Sequence, residues 1–156
     1  MPVVLENRQR VVAIDRAWLC RTAEAVLSAA RADGAELSLV LVSDGRMRAL
    51  NRRYRKKDRP TDVLSFPLHE KRGQATFLRK SSLSPFLLGD VVISVPTARR
   101  RAAEVGHGLR EELRRLLVHG VLHLLGYDHE RGPRDAALMA RKERSILKAL
   151  GGRVGV

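Results

Sequence analysis

LREELRRLLVHGVLHLLGYDH, residues 109–129, decides how the rest of the chain is read. Leu109, Leu113, Leu116, Leu117, Val121 and Leu124 give it one apolar stripe at helical spacing. Three of the chain's five histidines fall in its last eleven residues. His119 and His123 are four apart, so they stand one turn above each other on the same face. Gly126 is free to take the left-handed conformation that stops a helix. The chain then turns, and His129 returns toward the same point. Three imidazole nitrogens with a fourth tetrahedral position open is the arrangement of a catalytic rather than a structural zinc. The spacing therefore predicts one metal ion on His119, His123 and His129; the nitrogen donors alone do not choose zinc over nickel or cobalt. The remaining histidines, His69 and His107, lie outside this geometry and read as surface residues.

The same spacing occurs in the metzincin proteases, H-E-x-x-H-x-x-G-x-x-H. Here Gly120 stands where those enzymes carry the glutamate that activates water. The metal cage is kept and the protease base is absent. A glycine inside a helix also costs about 1 kcal/mol against alanine. Either a backbone packs closely there or substrate passes near the metal.

Outward from this helix, the pattern reads as a single domain over residues 1–156. Val3 to Leu5 form a short strand. Asp15 caps a helix through Arg31 that Asp33-Gly34 ends. ELSLVLVSD is a strand, and Ser43 or Asp44 caps a short helix with Met47, Leu50 and Tyr54 inward. DVLSF and LGDVVISV are strands, the second buried on both faces. Residues 69 to 87 read as a long loop or extended hairpin. Pro96 opens one helix and Pro133 another, the last with Leu138, Met139, Ile146, Leu147 and Leu150 inward. Strands mixed with helices argue an α+β fold: a mixed sheet with helices packed on it.

Thirty Lys plus Arg face seventeen Asp plus Glu, a formal charge of +13. Such a surplus attracts polyanions, nucleic acid before membrane. No run is long and apolar enough to span a bilayer, no signal peptide is legible, and the single Cys20 fits a reducing cytoplasm. Six of the eight residues 52–59 are basic. Arg52, Arg53, Lys56, Lys57 and Arg59 are candidates for tracking a nucleic-acid backbone. Arg55 is a candidate for two hydrogen bonds to a phosphate. No general base is evident. Asp128 can orient an imidazole or cap a turn, and Asp62 and Asp90 lie near strand ends. Trp18 and Phe66 read as core.

HGVLHLLGYDH resembles the signature of the YbeY family, bacterial metal-dependent endoribonucleases of ribosomal RNA maturation. LNRRYRKKDRPTDVLSFP (50–67), LGDVVIS (88–94) and ERSILKALG (143–151) agree in the family's order. The resemblance implies a mixed, mostly parallel four-stranded sheet with about five helices and a zinc site at the end of a central helix. It implies zinc on the three histidines and a family arginine important for activity at Arg55. The implied role is single-strand-specific RNA cleavage in 16S rRNA 3′-end maturation and ribosome quality control. The implied partners are ribosomal RNA and the small ribosomal subunit, with no membrane and no small-molecule cofactor. The family is usually acidic where ERGPRDAA follows His129. Two other readings stay open: a non-catalytic ribosome-assembly factor with structural zinc, and a metzincin-like protease.

Overall fold

A computed structural model of the chain describes residues 3–68 and 87–151. Four strands and five helices occur among them. In chain order they are β1 (Val3–Asn7), α1 (Arg16–Ala29), β2 (Glu36–Val42), α2 (Asp44–Arg55), β3 (Val63–Pro67), β4 (Leu87–Ser94), α3 (Val95–Val105), α4 (Leu109–Leu124) and α5 (Pro133–Ala149). The sheet runs β1-β2-β4-β3. The β1–β2 and β2–β4 pairs are parallel, and β3 is antiparallel to β4 at one edge. The expected α+β, mostly parallel sheet is what forms.

Side chains of the sheet alternate between two cores, as the strand period requires. Leu37, Leu39, Leu41, Val91 and Ile93 face a large core closed by α1, α4 and α5. Val40, Val42, Leu64, Phe66 and Val92 face a smaller one that α2 closes with Met47 and Leu50. β4 is thus buried on both sides, in line with its apolar run. Among the described residues, no helix is long and apolar enough to cross a membrane.

Several local expectations are corrected. Helix α1 stops before Asp33-Gly34. Arg31 itself takes the left-handed conformation (φ 58°), and the amides of Arg31 and Ala32 bond Ser28 and Leu27 carbonyls. Those bonds satisfy the helix end without glycine. Leu138 is 47% exposed, because the inward stripe of α5 runs through Met139 and Ile146 and Leu138 falls to its side. Trp18 does pack against the large core, as expected, but is only half-buried, with the Arg110 guanidinium 4.9 Å from its ring centre. His107 is not a surface residue: its side chain is 8% exposed and bonds the buried Glu112 at 2.7 Å. His69 and the loop expected at 69–87 lie outside the described residues, except that Leu87 already begins β4.

Candidate metal centre

The apolar stripe of α4 seats the helix on the sheet and leaves His119 and His123 half-buried at its C-terminal end. Leu125 caps the helix. The Gly126 amide bonds the His123 carbonyl and the Tyr127 amide bonds the Leu122 carbonyl. With Gly126 at φ +102°, this is the paired hydrogen-bond pattern that closes a helix and reverses the chain. The reversal brings His129 back. Ring centres of the three histidines lie 4.7, 5.3 and 5.2 Å apart. One ligand nitrogen from each lies within 4.8 Å of the others.

The donor chemistry fits a metal ion. The Nε2 atoms of His119 and His123 approach to 3.1 Å. Burial pushes the His123 imidazole below its ordinary pKa, and the neighbouring His119 and His129 push it the same way. Its neutral form, the one that ligates metals, is favoured. Asp128 does not orient a histidine. It accepts the Glu130 amide at 2.9 Å, a bond that lowers its pKa, and so it caps the turn.

His119 makes a contact that spacing alone does not announce. Its Nδ1–H donates to Glu143 of α5 at 2.6 Å. A signal was present in the sequence. Glu143 lies four residues after Met139 and three before Ile146, a carboxylate on an otherwise core-facing stripe.

Gly120 faces the sheet, away from the ligand trio. A β-carbon there would lie 2.8 Å from one methyl of Val91 and 3.3 Å from Ser65 Oγ. The close neighbour is therefore a side chain of β4, neither backbone nor substrate. Ser65 Oγ donates to the Gly120 carbonyl at 3.2 Å. A glutamate at this position has no room, so packing as well as residue identity excludes the metzincin base.

The histidines form one wall of a cleft of about 480 Å³ that runs along the edge strand β3. Tyr54, Arg55, Lys57 and Arg59 line the same cleft and give it a basic wall. Arg55, at the C-terminal end of α2, bonds Glu130 at 3.1 Å, beside His129. Asn51 is buried in α2 and donates to the Arg59 carbonyl at 2.8 Å, tying the basic loop to the helix. Arg52, Arg53 and Lys56, expected with the others, are not in the cleft lining. Arg53 lies over the Tyr54 ring at 5.3 Å, and Lys56 is the left-handed residue ending α2. Asp62 lines the cleft but is engaged by Arg101 and the Val63 amide. Asp90 is buried within β4.

A family model described as Endoribonuclease YbeY matches residues 4–151. The chain belongs to the YbeY endoribonuclease family. A relative named Endoribonuclease YbeY from Aquifex aeolicus is 44% identical over 148 residues, covering 95% of this chain and 91% of that one. Another of the same name, from Pelotomaculum thermopropionicum, is 47% identical over 154 residues, covering 96% and 97%. The solution structure of a Thermotoga maritima protein shares the fold, with a TM-score of 0.59 and 24% identity over 96% of this chain and 89% of that one. The blocks that resemble the YbeY signature thus sit in a match that extends through the N-terminal strand and helix as well.

Proposed function

We propose that this chain is a metal-dependent endoribonuclease that cuts single-stranded RNA in the cytoplasm. Its role is in 16S rRNA 3′-end maturation and ribosome quality control, with the small ribosomal subunit as partner. One observation carries the reading: three converging imidazoles and a basic wall share a single cleft, in a chain of the YbeY family.

His119, His123 and His129 are the residues to hold one zinc ion, which would supply Lewis acidity toward the scissile phosphate. The remaining work falls to the chain's own side chains. The Arg55 guanidinium is partly exposed and paired with an exposed carboxylate, a pairing worth little in water. A phosphate entering the cleft replaces Glu130 and takes two charge-assisted hydrogen bonds from Arg55. Lys57 and Arg59 hold the flanking backbone by charge. Tyr54, set edge-on to Phe66 with ring centres 5.2 Å apart, is the aromatic of this wall. Tyr127 also lines the cleft, while Phe66 is buried; stacking on such rings tolerates any base, so positioning by backbone is expected.

The test uses the purified wild type, His123→Ala and Arg55→Glu, measuring bound zinc, affinity for a single-stranded rRNA fragment and its cleavage. His123→Ala is expected to lose zinc and cleavage and keep most RNA affinity. Arg55→Glu is expected to keep zinc and lose about 100-fold or more in cleavage. Equal cleavage by wild type and His123→Ala would trace the activity to a contaminant and leave an RNA-binding assembly factor as the surviving reading.

A further inference from the structure

Glu143 belongs to α5, a helix that contributes no metal-ligand candidate. Its stripe neighbours Met139 and Ile146 are each 1% exposed. A carboxylate turned toward the core loses hydration and needs a partner. At 30% side-chain exposure, Glu143 has one in His119, 30% exposed and 2.6 Å away. A carboxylate only accepts hydrogen bonds. The bond therefore puts the proton of a neutral His119 on Nδ1 and leaves the lone pair on Nε2. That Nε2 is the atom 3.1 Å from His123 Nε2. Among the described residues, neither His123 nor His129 has a comparable carboxylate bond.

We infer that Glu143 is a positioning residue for the metal centre: it fixes the Nδ1–H tautomer of His119 and aims its Nε2 into the trio. Carboxylates behind ligating imidazoles act this way in general, by orientation and by raising ligand basicity. The pair also ties α5 to α4 across 24 residues, so the last helix of the chain acts on the metal site without touching it. This inference rests on the metal-dependent reading above.

The test compares full-length wild type, Glu143→Ala and Glu143→Gln. Zinc affinity is read by competition with a chromophoric chelator. The His119 tautomer is read in the metal-free proteins by long-range proton–nitrogen NMR, above the imidazole titration range. Urea midpoints report the fold. Glu143→Ala is expected to weaken zinc binding about 10- to 100-fold and to mix the His119 tautomers. Glu143→Gln keeps an acceptor without the charge, so it is expected to keep the tautomer and lose less affinity. Zinc affinity within twofold of wild type in Glu143→Ala, whatever its urea midpoint, would reduce Glu143 to a brace between helices and overturn the inference. A wild type that takes up no zinc overturns the metal reading itself; uptake by wild type matched in Glu143→Ala overturns the inference alone.

Discussion

A methyl group at position 120 has nowhere to go. It would approach the two γ-carbons of Val91 to 2.8 and 3.0 Å, and Val91, 0% exposed on β4, has no space into which to retreat. Helix propensity alone favours alanine over glycine by about 1 kcal/mol. Overpacking a closed core costs about 1–3 kcal/mol. The second term wins here because β4 is held between β2 and β3. Gly120→Ala is therefore expected to destabilise the protein by about 1–2 kcal/mol, seen as a lower urea midpoint at unchanged slope. A midpoint equal to or above wild type would show that α4 can lift off the sheet at no cost. The glycine was legible as an anomaly in the sequence, but its cause was not, since Val91 lies on another element. The histidine trio is the opposite case. Its i, i+4 pair and helix-stopping glycine are local, so spacing alone carried it. Glu143 falls between: its place on an apolar stripe is visible, while its partner is set by how α5 crosses α4.

Helix α2 is held by polar contacts as well as by its apolar side chains. Its buried residues are Met47, Leu50 and Asn51. Ser43 supplies the N-cap, which frees Asp44 for other work. Asp44 Oδ1 accepts from Ser94 Oγ at 2.7 Å and from Thr97 Oγ1 at 2.6 Å, and Arg100 pairs with Oδ2 at 2.7 Å. Burial opposes the Asp44 charge, but the bonds from Arg100, Thr97 and Ser94 outweigh it and hold the carboxyl below its ordinary value. This lock pins the start of α2 to the β4–α3 junction, and Arg55 rides at the other end. Asp44→Asn is expected to cost about 1–2 kcal/mol, most of it from the buried hydroxyl bonds because the Arg100 end is solvent-screened. A folded pKa below the unfolded one means the stabilisation is complete above about pH 4, the unfolded carboxylate value. It is lost as pH falls through the lowered folded value. Urea midpoints of wild type and Asp44→Asn should therefore converge on acidification below that point; a gap that stays constant to the acid limit would remove the charge from the account. None of this lock was legible beforehand, since Ser94, Thr97 and Arg100 are 50 or more residues from Asp44 and carry no periodic signature. The elements themselves were legible, because stripe, cap and Pro or Gly punctuation are local. The end of α1 was not, because Arg31 does there what glycine usually does.

At the scale of the whole molecule, a formal charge of +13 says that a polyanion will be attracted but not where it will lie. The cleft divides the basic run 52–59 into two sets. Arg55, Lys57 and Arg59 line it, and Arg52, Arg53 and Lys56 do not. Binding a single strand releases counterions, so log affinity falls with log salt at a slope of about −0.7 per phosphate contacted. A residue that touches a phosphate changes this slope when removed; one that adds only to the general field lowers affinity and leaves the slope nearly unchanged. Lys57→Ala and Arg59→Ala are each expected to make the slope shallower by about 0.7. Arg52→Ala is expected to leave it at the wild-type value. Affinity for a short single-stranded RNA, measured across a series of salt concentrations for the four proteins, separates the cases. Equal slopes in all four would mean that the strand is held by a diffuse field, and the histidines would then share their cleft with a basic wall that RNA does not use.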